Sequence, residues 1–90
     1  MYRVEVSPAA DRDLEKPKGR IRRQDFERLR NAVRSLAEKP RPRGARKIRG
    51  ADKAYRIRVG NYRVVYDVYD SDNLVLILQI GRRGETTYRQ

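Results

Sequence analysis

The stretch YRIRVGNYRVVYDV, from Tyr55 to Val68, constrains the fold more than any other part of the chain. Side chains alternate between faces along a strand. Two alternating runs joined by Gly60-Asn61 therefore predict a hairpin with a two-residue turn, both turn residues being tolerant of positive φ. Tyr55, Ile57 and Val59 fall on one face, and Val64, Tyr66 and Val68 suit the same face of the partner strand. This apolar set must pack on helices, because nothing else in the chain can cover it. Arg56, Arg58 and Arg63 then share the open face with Val65, Asp67 and Tyr69. A strand that only builds a core does not need three cations in so short a run.

The other elements follow from similar signals. Tyr2 to Val6 alternates apolar and charged residues, as a half-buried strand does. Ser7-Pro8 reads as a helix N-cap followed by proline at the first helical position. Ala9, Ala10 and Leu14 carry a short helix that Pro17 and Gly19 interrupt. A second helix is expected over Arg20 to Lys39, with Phe26, Leu29, Val33 and Leu36 forming one apolar stripe that Ile21 extends. Pro40 and Pro42 end it. RPRGARKIRG, Arg41 to Gly50, is a basic loop leading into a short extended piece. After the hairpin strands Ala54–Val59 and Tyr62–Tyr69, a turn at Ser71-Asp72-Asn73 leads into Leu74–Ile80. LVLILQI is almost wholly apolar, the pattern of a central strand covered on both faces. The expected fold is one α+β domain over residues 1–90: an N-terminal strand, a two-helix hairpin, then an antiparallel β meander.

Composition narrows the chemistry. Ninety residues hold one small core. Twenty-three Lys and Arg against 12 Asp and Glu give a net charge of +11, which favours a polyanionic partner, nucleic acid first. The cations are mostly Arg, the better planar ligand for phosphate. With no Cys and no His, the chain lacks disulfides, thiol nucleophiles and imidazole acid–base catalysis. Scattered carboxylates alone are a poor basis for a metal site, so neither a metal nor a cofactor is expected. No apolar run approaches the ~20 residues of a membrane span, and no signal peptide opens the chain, so a cytoplasmic protein without a membrane partner is expected.

Past the central strand, GRRGETTYR adds Arg82, Arg83 and Tyr88. The open sheet face thus gathers guanidinium groups with an aromatic residue near its rim. Guanidinium groups suit phosphate and can stabilise the charge of a phosphoryl transition state, and an aromatic ring beside them can stack a base.

With YRIRVGNYRVVY followed by the GRR…Y tail, the chain resembles the RelE/ParE superfamily of type II toxins over nearly its whole length. The resemblance implies a RelE-like, microbial-RNase-type sheet. It is similar to the RelE branch, whose members are ribosome-dependent mRNA endonucleases acting in the A site. On that resemblance Arg56, Arg58, Arg63, Arg83 and Tyr88 correspond to the catalytic positions. Arg63 and Arg83 would clamp the scissile phosphate, Arg56 and Arg58 would orient it, and Tyr88 would stack on a base or handle a proton. Some relatives carry Lys at the two hairpin positions. Arg effectively cannot lose its proton, so a general base is not carried over to Arg56 or Arg58. Arg41, Arg43, Arg46, Lys47, Arg49, Lys53 and Arg82 are expected to contact RNA or the ribosome. The implied partners are a cognate acidic antitoxin and the ribosome with bound mRNA. Two other readings stay open: a ParE-like inhibitor of DNA gyrase, and an RNA-binding module without catalysis.

Overall fold

The computed structural model describes residues 1–15 and 22–82. In chain order these form β1 (Arg3–Val6), α1 (Pro8–Glu15), α2 (Arg23–Ser35), β2 (Arg46–Lys47), β3 (Ala54–Val59), β4 (Tyr62–Tyr69), a 3₁₀ turn (Asp70–Asp72) and β5 (Leu74–Arg82). The strands make one sheet in the order β1-β5-β4-β3-β2. The expected meander is β3–β4–β5, and its pairs are antiparallel. β1 adds to β5 in parallel, and β2, which lies inside the basic loop expected over Arg41–Gly50 and not after it, pairs antiparallel with β3. Ala10, Leu29 and Leu36 from the helical segments pack with Ile57, Val64, Tyr66 and Ile77 in a single core. The other sheet face is left to the arginines.

The hairpin forms as its alternation predicts, with Val59 opposite Tyr62 and Ala54 opposite Asp67. Only Gly60 uses a positive φ, at 61°, so the turn has the II′ pattern with Gly first, and Asn61 stays at negative φ. Asn73 takes the left-handed conformation that ends the 3₁₀ turn before β5.

Two expectations need correction. The second helix is shorter than Arg20–Lys39. It ends at Ser35, and the N–H groups of Leu36 and Ala37 donate to Val33 and Arg34 carbonyls in a tightened last turn. Pro40 disfavours helical backbone at Lys39, so the chain leaves the helix before reaching it. At the other end of the apolar stripe Phe26 is 37% exposed, whereas Leu29 and Leu36 are fully enclosed; Ile21 lies outside the described residues. The second correction concerns β5. It is interior to the sheet but covered on one face only: Val75, Ile77 and Ile80 are buried, while Leu74, Leu76 and Leu78 are half-buried.

The phase of β5 rests on a bulge. Val65 pairs with Gln79 and Tyr66 with Ile77, leaving Leu78 as the extra residue. Strict alternation would have turned Val75, Ile77 and Gln79 to the core. The bulge instead brings Ile80 inward opposite Val64 and sends Gln79 to the open face. On the β1 side, strand pairing stops at Val6–Ile77. Ser7 takes over there: its N–H donates to the Ile77 carbonyl at 2.9 Å, and its Oγ accepts from Ala10 N–H at 3.2 Å as the expected N-cap. One step further, Asp13 Oδ2 accepts the Ile80 N–H at 2.9 Å.

A polar clasp joins the ends of the fold. The Tyr66 hydroxyl donates to the Pro40 carbonyl at 2.8 Å, and the Tyr66 ring stacks on Tyr55 with centroids 6.1 Å apart. Burial pushes the Tyr66 phenol up to about 12. Arg41 lies over the Tyr55 ring and pairs with Asp70 at 2.8 Å, and the Tyr2 hydroxyl donates to the same carboxylate. The hydrogen bonds from Arg41 and then Tyr2 hold the Asp70 carboxyl below its ordinary value.

Asp13 therefore has a definite structural task. Asp13→Ala is expected to destabilise the fold by about 1–3 kcal/mol, because a partly buried Ile80 N–H loses its acceptor. Asp13→Asn keeps an acceptor oxygen and should cost distinctly less. Urea denaturation of the two variants measures the difference; equal losses would mean that the carboxylate charge, not the hydrogen bond, matters.

Candidate functional site

Strand pairing places four arginines on the open face in two facing pairs. Arg58 stands directly opposite Arg63, and Arg46 directly opposite Arg56. Directly opposed residues share a face, with Cβ atoms roughly 5 Å apart. In the next column Arg63 faces Gly81, which has no side chain, and Arg56 faces Val65, which in turn faces Gln79. Val65 is buried yet lies outside the main core cluster, so the arginine rows border an apolar floor.

Like charges directly opposite one another destabilise a sheet. Two unit charges about 4 Å apart repel by roughly 1 kcal/mol in water, and by more where water is excluded. Two such pairs on one face are a poor way to stabilise β3. They are a good way to hold an anion, since each guanidinium presents a planar fork of donors to phosphate oxygens. Beside them lies a hollow of about 540 Å³ lined by Arg43, Gly44, Arg46, Arg56, Ile57 and Arg58. Gly44 has a φ of 95° with nothing within 4 Å of where a Cβ would project, so the hollow's loop wall stays open.

The residues expected from the sequence do not form one surface. Arg56, Arg58 and Arg63 come together as anticipated, although Arg56 and Arg63 are half-buried and only Arg58 is exposed. Arg63 reaches the open face as expected, and strand neighbours on both sides enclose it. Arg83 and Tyr88 lie outside the described residues. Arg43 and Arg46 line the hollow. Arg49 is exposed in the turn that Gly50 closes at a φ of 85°. Arg82 is directly opposite Tyr62, with its guanidinium over the Tyr62 ring at 5.9 Å, and so belongs to the helix side of the sheet. Lys47 is opposite Tyr55 on that side too, and Arg41 is engaged by Asp70. Lys53 sits over Tyr69 at 5.9 Å. Tyr69 is an open-face aromatic whose hydroxyl donates to Asp67, which raises the phenol above its ordinary value. The facing of Arg46 and Arg56 was also not foreseen, because a two-residue strand inside a basic loop carries no periodicity of its own.

Among the described residues no group of three or more His, Cys, Asp or Glu could hold a metal ion, and no helix is long and apolar enough to cross a membrane.

A family model described as the ParE toxin of the type II toxin–antitoxin system parDE matches residues 4–87. The chain belongs to this toxin family. Solved structures similar to it include RelE toxins and RelE–RelB complexes. The RelE of the archaeal RelE–RelB complex from Pyrococcus horikoshii is 28% identical with a TM-score of 0.78, over 93% of this chain and 97% of that one. A chain of the RelBE2 complex from Mycobacterium tuberculosis is 25% identical with a TM-score of 0.76, covering 91% and 98%. A toxin named RelE1 from Methanocaldococcus jannaschii is 26% identical over 85 residues, 91% of this chain and 90% of that protein. This is a RelE-branch type II toxin with the α+β fold of the RelE structures.

If the facing arginines of this toxin serve an anion rather than the fold, removing one should not harm stability. Arg58→Gln is expected to leave the melting temperature unchanged or slightly raised, by relief of up to about 1 kcal/mol of repulsion. A thermal melt at low salt checks this; a clear drop would make Arg58 structural.

Proposed function

We propose that this toxin is an mRNA endonuclease that acts in the ribosomal A site, with the open sheet face as its active surface. The observation that carries the reading is the pair of facing arginines, Arg58 and Arg63, next to Arg56 on a face that the helices do not cover. In this reading the ribose 2′-oxygen attacks its own 3′-phosphorus, and the bond to the 5′-oxygen of the next nucleotide breaks. The products are a 2′,3′-cyclic phosphate and a 5′-hydroxyl. The 2′-hydroxyl proton leaves to water, and the departing 5′-oxygen gains one. The reaction runs without a metal.

The chain's contribution is geometry and charge. It has no imidazole, and its arginines stay protonated. Arg63 and Arg83 clamp the scissile phosphate, and Arg56 and Arg58 offset the extra charge of its transition state. Tyr88 stacks on a base. Such a site lacks the proton-transfer groups of a free ribonuclease, so it needs substrate that the ribosome already holds in position. The partners of this reading are the ribosome with bound mRNA and an acidic antitoxin in the cytoplasm, as the neighbours solved as RelE–RelB complexes suggest by analogy. The antitoxin would neutralise the arginine face or cover the exposed Val6 and Phe26, which border a small apolar groove rimmed by Arg30 and Arg34.

A gyrase-poisoning reading is favoured by one observation, the ParE description of the matching family. Supercoiling of relaxed plasmid by gyrase in the presence of the protein distinguishes the two; the nuclease reading predicts no inhibition.

The test is single-turnover cleavage of mRNA on purified ribosomes. Arg63→Ala should slow the step by roughly 10²–10³-fold, the loss typical of removing one donor to a developing anion. Because Arg63 is half-buried, a melt of the same variant separates this from unfolding. Tyr88→Phe should keep most activity and Tyr88→Ala should lose at least about tenfold, since stacking contributes about 1–3 kcal/mol. Equal failure of Phe and Ala would transfer Tyr88 to proton transfer. Rapid cutting of naked mRNA, or no cutting on ribosomes, would overturn the reading.

A further inference from the structure

A second hollow, of about 500 Å³, adjoins the first. It is lined by Arg46, Lys47, Ile48, Arg49, Gly50, Ala51 and Arg56. Two residues are common to both hollows, Arg46 and Arg56. These two stand directly opposite one another across β2 and β3, so their side chains form the ridge between the hollows. Each hollow is in the size range of sites that take a small organic ligand. Their cationic walls are continuous, from Arg58 and Arg43 on one side of the ridge to Arg49 on the other.

We propose that Arg46 makes a second phosphate subsite on this ridge, next to the scissile phosphate that Arg56 and Arg58 flank. The substrate is then a single strand held across the ridge through at least two consecutive phosphates, with one sugar–base unit over each hollow. The inference rests on the nucleic-acid reading above, and it adds a binding site and a positioning residue, Arg46. It also gives a physical account of why β2 exists. Two residues add little to a sheet, but their pairing fixes Arg46 beside Arg56 where a loop would let it swing away. Single-stranded geometry follows from the arrangement, because a ridge flanked by two hollows admits bases splayed from an extended backbone and not a stacked duplex.

The test is the salt dependence of binding to a single-stranded oligouridylate, measured by fluorescence anisotropy. For single strands the slope of log K against log salt is about −0.7 per phosphate neutralised. Arg46→Ala should make that slope shallower by about 0.7. Arg46→Lys, which keeps a point charge, should restore the slope but not the full affinity. The control is Arg30→Ala, which removes a cation from α2, where it pairs with Glu27; it should leave the slope unchanged. With a dinucleotide holding one phosphodiester, Arg46→Ala should bind like the unaltered protein, and with a trinucleotide it should bind more weakly. Wild-type binding with an unchanged slope in Arg46→Ala, or equal changes in the Arg46 and Arg30 variants, would overturn the ridge subsite while leaving the nuclease reading intact. Absence of any salt-dependent binding by the wild-type protein would overturn both.

Discussion

The register of β3 against β4 decides what this toxin presents to its surroundings. Gly60 alone among the hairpin residues takes a left-handed φ, and that turn sets Arg58 across from Arg63 and Ile57 across from Val64. A slip of one residue would put the cations against Leu29 and Leu36 and the aliphatic residues in water. The core and the arginine face are therefore one specification seen from two sides. Burying Val64, Tyr66 and Val68 stabilises the hairpin, and the same pairing forces like charges together on the reverse. The energy of the core holds an electrostatically unfavourable surface in place, so the surface is preorganised before any anion arrives.

The remaining elements maintain that register. The bulge at Leu78 keeps Ile80 in the core and turns Gln79 outward, and Gly81 leaves room beside Arg63. Ser7 and Asp13 satisfy the edge of β5 where β1 ends, tying α1 to the strand that carries the bulge. On the helix side, the contacts of Tyr66 with Pro40, of Arg41 with Asp70, and of Tyr2 with both Asp70 and Ala37 fasten the chain after α2 to the start of β1 and the β4–β5 turn. That clasp uses Arg41, a residue whose charge alone suggested RNA contact.

Much of this was legible in the sequence, and the reasons it was or was not are local. The hairpin was readable because period-two alternation and a Gly-Asn turn are short-range signals. The strands Ala54–Val59 and Tyr62–Tyr69 form over the residues that alternation assigned to them. Ser7 as N-cap was readable for the same reason. What alternation cannot reveal is an insertion in its own phase, so the one-sided burial of β5 and its bulge were missed. Charge in a loop also carries no direction: Arg46 turns to the open face, Lys47 to the helix side and Arg41 to a carboxylate. Arg82 was grouped with the site by its neighbours in the sequence, but its pairing with Tyr62 puts it behind the sheet.

On the proposed function, RNA meets the side of the sheet opposite the helices. Side-chain nitrogen NMR of the arginines during titration with a single-stranded RNA tests it within one sample, since both faces carry reporters. The Nε resonances of Arg46, Arg56, Arg58 and Arg63 should move with added RNA while those of Arg28, Arg30 and Arg82 stay in place. Movement confined to the helix-side arginines, with the four open-face signals unchanged, would contradict it.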